Sequence, residues 1–170
     1  HILFCQGDIP MSRESHNASP RHPFEPTQLP DGRWQIKNIV TAGPCTRISA
    51  LFFLFRYFYK EPDALIYAFW EIADTIWNTN PDDKLMERHA WSEQIIEDLA
   101  HNKYAGFGGC GSSGKSHVVS AWGILKWIAD PVNTIVLITT TALKDADQRV
   151  WGSVIRLMTP LMGSIPARER

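Results

Sequence analysis

The sequence predicts an α/β domain: a parallel sheet flanked by helices, built around a phosphate-binding loop and preceded by a mainly helical N-terminal region. Three observations carry that expectation. Gly109-Cys110-Gly111-Ser112-Ser113-Gly114-Lys115-Ser116 fits the pattern G-x-x-x-x-G-K-[ST]. From Lys103 onward the order reads strand, loop, helix, strand, helix. Residues 134–139 form a near-continuous apolar run, as a strand buried on both sheet faces requires.

The elements follow in order. Residues 1 to 30 are rich in Pro, Ser, His and Asn and lack hydrophobic periodicity, so they read as an extended arm. Pro30-Asp31-Gly32 signals a turn, and the alternation at Trp34 and Ile36 a strand continuing towards Val40. Residues 48–77 are dense in aromatics and are split by Glu61-Pro62-Asp63 into two apolar helical pieces. Such a stripe is a packing face, or a partner surface if nothing covers it. Asn80-Pro81-Asp82-Asp83 reads as a helix start, with Leu85, Trp91, Ile95 and Leu99 on the inner face. Residues 103–107 can be a short buried strand leading into the loop. After the loop, Val118, Val119, Trp122, Leu125, Ile128 and Ala129 recur at helical spacing until Asp130-Pro131 stops the run. Following the strand at 134–139, Leu143, Ala146, Val150, Val154 and Leu157 make a further helical stripe.

The loop pattern has a mechanism. Glycines let the backbone curl until successive N–H groups face a polyphosphate, and a helix opening at Gly114-Lys115 adds its positive dipole end. Lys115 supplies a charge for the β- and γ-phosphates, and the Ser116 hydroxyl can ligate Mg²⁺. Four fixed positions match by accident in about 1% of chains of this length. The flanking strand and helix patterns are the context that a true nucleotide loop needs.

Composition bounds the alternatives. The chain has 170 residues, 44% of them hydrophobic, and a net charge of −1 from 17 basic and 18 acidic groups. That balance offers no global basic field for nucleic acid, so any DNA contact must be local. Cys5, Cys45 and Cys110 are odd in number and far apart, which argues against a disulfide framework. Cys5, His16, His22 and Cys45 lack metal-ligand spacing. The apolar run at 48–55 is too short to span a bilayer, and no signal peptide opens the chain, so it reads as soluble and intracellular.

Three segments together resemble one family: Trp91 to Gln94, the loop GGCGSSGKSH, and IVLITTTALKDADQRVWGSVIRL downstream. They are similar to the large subunit of viral terminases, the ATP-driven motors that package phage DNA into procapsids. The similarity spans residues 85–160 and rests mainly on Thr139-Thr140-Thr141 and Arg149-Val150-Trp151-Gly152. It implies a RecA-like phosphate-loop ATPase fold, with residues 81–170 as its front part and residues 1–80 as an unassigned leader. It also implies ATP and Mg²⁺ as cofactors, held by Gly109 to Ser116, with Lys115 catalytic and Ser116 on the metal. Trp91 and Gln94 fall where the family recognises adenine, by indole stacking and amide hydrogen bonding.

Thr139 to Thr141 fall where the family senses nucleotide or touches DNA, and an ordinary helix cap suits them equally. Double-stranded DNA, a portal protein and a small terminase subunit are the implied partners. A ring oligomer in the host cytoplasm is the implied setting.

Two departures stand out. Many terminases carry an arginine inside the loop, where this chain has Cys110; Arg149 and Arg156 could replace it, or be surface ion-pair partners. The family's two catalytic carboxylates close a later apolar strand, and no apolar run ending in Asp-Glu follows Ser116. The expectation is therefore an incomplete motor that holds ATP without turning it over. A helicase-like ATPase, a simple phosphate-loop kinase and a non-enzymatic module with an aromatic face at 48–77 are the competing readings.

Overall fold

The computed structural model describes residues 22–37, 39–41, 46–108, 114–137 and 150–164. They fall into two compact units that divide after Leu51. The first holds a small antiparallel sheet of β1 (Thr27–Gln28), β2 (Trp34–Ile36) and β3 (Ile39–Val40), in that order. Gly32, at φ 83°, takes the left-handed position of the β1–β2 turn, and its N–H donates to the Leu29 carbonyl at 2.9 Å. The turn expected at Pro30-Asp31-Gly32 is therefore present. The single strand expected from Trp34 to Val40 is two strands: Lys37 is left-handed at φ 53°, and Ile36 pairs with Ile39. A two-residue loop needs positive φ to match strand twist, and that demand is invisible in the alternation of side chains.

The second unit is helical. Helix α1 (Arg47–Tyr57), within which the division at Leu51 falls, begins after Thr46, whose Oγ1 accepts the Ser49 N–H at 3.2 Å. Helix α2 (Pro62–Ile72) opens on proline and runs into a π-helical turn, Ala73–Trp77. The split at Glu61-Pro62-Asp63 is thus as expected. Most of the aromatics between are core: Phe52, Phe55, Phe58, Phe69, Trp70 and Trp77 are all buried. Phe69 stands edge-on to Trp70 and Trp77, with centroids 5.1 and 6.2 Å away. Tyr57 and Tyr59, in the same stretch, are exposed.

Helix α3 (Ala90–His101) packs on α2 and on α4 (Lys115–Ala129), and α4 packs on α5 (Gly152–Ser164). The π turn aims the Trp77 indole N–H at the Leu157 carbonyl of α5, 3.0 Å away and buried.

The parallel sheet flanked by helices is not formed: 57% of the described residues are helical, and the only sheet among them is the antiparallel one. Residues 103–107 and 134–137 are irregular, with Tyr104 83%, Ile135 92% and Leu137 81% exposed. An apolar run becomes a strand only where neighbours take up its N–H and C=O groups. Among the described residues no ladder partner exists for either run, and α4 packs instead on α3 and α5. Val136 instead lies along α4, its methyl carbon 3.4 Å from where a side chain at Gly123 would begin.

The helix expected to open at Asn80 opens at Ala90. Asn80 uses its side-chain oxygen in a local turn, accepting the Asp82 N–H at 3.0 Å. Trp91, expected on the inner face of α3, is 42% exposed, and the buried positions are Ser92, Ile95 and Ile96. The helix expected after the loop matches α4, including its stop at Asp130-Pro131. Residues 138–149, with Thr139 to Thr141, Leu143, Ala146 and Arg149, lie outside the described residues.

Candidate phosphate-binding site

Gly109, Cys110, Gly111, Ser112 and Ser113 lie outside the described residues, so the site is built from its C-terminal half. Gly114 stands just ahead of α4 at φ 78°, ψ 0°. Only glycine adopts that conformation without a Cβ penalty, which gives the second glycine of the motif a physical reason. Helical bonding in α4 begins with the Val118 N–H and the Gly114 carbonyl, 3.1 Å apart. The opening turn of a helix presents amide groups and a positive dipole end to whatever lies before it. Lys115, half-buried, and Ser116, exposed, occupy that turn.

Two anchors set the position of the turn. The first is His117, whose Nε2–H donates to the Leu85 carbonyl at 2.7 Å. A carbonyl only accepts, so the proton sits on Nε2. Leu85 belongs to a segment held by the Asn78 amide, which donates to the Met86 carbonyl at 2.7 Å and accepts the Met86 N–H at 3.0 Å. Arg88 lies over the Trp70 ring at 4.6 Å and ties the same segment to α2. None of these bonds was legible beforehand: a histidine two residues beyond Lys115 signals nothing, and a backbone carbonyl has no sequence signature.

The second anchor is Trp91. Its six-membered ring points at Gly114, where a Cβ would stand 2.9 Å from Cη2. His89 stacks on the indole with centroids 5.8 Å apart and planes inclined by 22°, and bonds Glu87 through Nε2 at 2.9 Å. The structure thus brings Trp91 to Gly114. Gln94 is exposed and donates along its own helix to the Asp98 carboxylate at 3.1 Å. Arg156, the second candidate arginine, makes an exposed pair with Asp83 at 3.4 Å, the surface role weighed above.

Lys115 and Ser116 also border a cleft of about 740 Å³ whose other walls are mostly apolar, among them Val119, Trp127, Val136 and Trp151. No group of three or more His, Cys, Asp or Glu residues converges among the described residues. No helix among them is long and apolar enough to cross a membrane. The chain matches no protein-family model, no curated protein and no solved structure.

Proposed function

We propose that the chain binds the polyphosphate of ATP at the junction between Gly114 and α4, as the nucleotide-holding segment of a terminase-type DNA-packaging ATPase. The observation that carries the phosphate reading is the left-handed Gly114 opening directly into a 15-residue helix whose first two residues are Lys115 and Ser116. An anion there meets main-chain amides, a helix dipole and an ammonium group together. That arrangement depends on the loop–helix junction and not on a parallel sheet. The terminase assignment rests on the resemblance in Thr139 to Thr141 and Arg149 to Gly152. Double-stranded DNA, portal and small-subunit partners, a ring assembly and the host cytoplasm belong to the same proposal.

The residues fit the cofactors unequally. For the phosphates the first turn of α4 supplies amides and the Lys115 ammonium. For Mg²⁺ it supplies the exposed Ser116 hydroxyl, and no carboxylate cluster converges there among the described residues. When bound, the metal would neutralise phosphate charge that Lys115 alone leaves. Binding without efficient turnover follows, because hydrolysis needs carboxylates to hold the metal and orient the attacking water.

Titration with a fluorescent ATP analogue and Mg²⁺, followed by a phosphate-release assay, tests this. Binding that weakens about tenfold or more in Lys115→Ala, a loss of at least ~1.4 kcal/mol, is the expected result. No retention of nucleotide by the wild-type chain, or robust Lys115-dependent hydrolysis, would refute it.

A further inference from the structure

We infer that Trp91 is a positioning residue that holds Gly114 in its left-handed turn, so that the site grips polyphosphate without reading the base at this position. The inference rests on the phosphate-binding reading above and departs from the adenine role implied by resemblance. The geometry is specific. The far edge of the indole is directed at Gly114: Cη2, Cζ2 and Cζ3 stand 2.9, 3.6 and 3.9 Å from a Cβ built there. Two constraints therefore converge on that residue, a positive φ of 78° and an aromatic edge where a side chain would go.

Trp91 is itself held. One ring face is stacked by His89, whose imidazole is tied to Glu87. The His89 N–H donates to Ser92 Oγ at 2.8 Å, and Ser92 Oγ lies 3.0 Å from the Glu87 carbonyl, fixing the first turn of α3 on which Trp91 sits. The indole is thus a rigid strut between the start of α3 and the start of α4, and His117 on Leu85 is the second strut. A loop that binds anions through backbone N–H groups depends on their direction, so a residue that sets Gly114 sets affinity for every polyphosphate alike.

The test compares the wild-type chain and Trp91→Ala, with Mg²⁺, against three probes: ATP, GTP and inorganic tripolyphosphate. A positioning role predicts a similar loss of about tenfold for all three, since a tenfold change is ~1.4 kcal/mol whatever the base. The emission difference between wild type and Trp91→Ala should also change on adding tripolyphosphate, which carries no base to stack. A loss confined to ATP would overturn the inference and make Trp91 a base platform, and no loss with any probe would overturn it too.

Gly114→Ala gives a readout without ligand: its fall in melting temperature should be smaller in the Trp91→Ala background than in the wild type. Equal falls would mean that the ring does not constrain Gly114. A wild-type chain that holds none of the three probes would overturn the phosphate reading and this inference together, a result distinct from those that overturn the inference alone.

Discussion

Asn78→Asp is the sharpest test of how the helical unit is held. The wild-type amide bridges a backbone pair, donating from Nδ2 to the Met86 carbonyl at 2.7 Å and accepting the Met86 N–H on Oδ1 at 3.0 Å. The same Nδ2 reaches the Asp74 carboxylate at 3.1 Å. A carboxylate of the same shape keeps the accepting bond and loses both donating ones. It then sets an anion against a carbonyl oxygen and a second anion. Each net hydrogen bond contributes about 1 kcal/mol, so losing two costs ~2 kcal/mol before repulsion is counted. In a chain of this size that is a fall of about 4–8 °C in melting temperature.

The effect carries a pH signature. The new carboxyl lies beside Asp74, so its folded pKa is raised above the unfolded value of about 3.9. The penalty is then full at neutral pH and is relieved as pH falls through the raised folded pKa, where the protonated acid regains a donor. Urea and thermal melts of wild type, Asn78→Ala and Asn78→Asp at about pH 7 and pH 4 would measure it. Asn78→Asp should be at least as damaging as Asn78→Ala at pH 7 and should recover relative to it at pH 4. An Asn78→Asp protein as stable as wild type at neutral pH would refute the clasp.

Two further predictions concern the same unit. Trp77→Phe removes the buried indole bond to the Leu157 carbonyl and leaves a small void, at a cost of about 1–3 kcal/mol in urea unfolding; a change under ~0.5 kcal/mol would contradict the link between the π turn and α5. Lys126 is pushed below its ordinary pKa of 10.5 by burial, with its ammonium over the Phe55 and Trp122 rings at 5.6 and 5.3 Å. Its folded form binds protons less readily than its unfolded form. The cost of burying the charge is therefore full at neutral pH and vanishes as pH rises through the lowered pKa towards 10.5. Lys126→Met should remove that rise, so the stability difference between variant and wild type should change as pH is raised from neutral towards 10.5 in urea melts; a constant difference would refute it.

Several elements were legible in short windows of sequence. Pro62 at the start of α2, Asp130-Pro131 at the end of α4 and Pro30 to Gly32 in the β1–β2 turn act through the backbone angles of adjacent residues. The second glycine of the loop belongs with them, since its left-handed turn is a local demand. At the candidate site, Lys115 and Ser116 were singled out by motif and Trp91 by resemblance, whereas the placing of the Trp91 ring against Gly114 had no sequence signal. The supports were hidden. Leu85 and Met86 act through main-chain atoms, and no side-chain pattern marks an amide clasp.

The apolar runs at 103–107 and 134–137 show where pattern reading fails. Each has a buried strand's composition, yet Tyr104, Ile135 and Leu137 are among the most exposed hydrophobic side chains. Composition reports what a segment could bury, whereas a strand requires a partner at the right distance and register.

The proline-marked start of α2 and stop of α4, the turn glycines and the phosphate-loop signature could be read directly from residue order, because each depends on neighbours a few positions away. Three-dimensional packing alone settled which apolar faces meet, that Trp77 reaches across 80 positions to the α5 backbone, and that Trp91 rests on Gly114. Those contacts join residues distant along the chain, and their free energy exists only once the helices that carry them have docked.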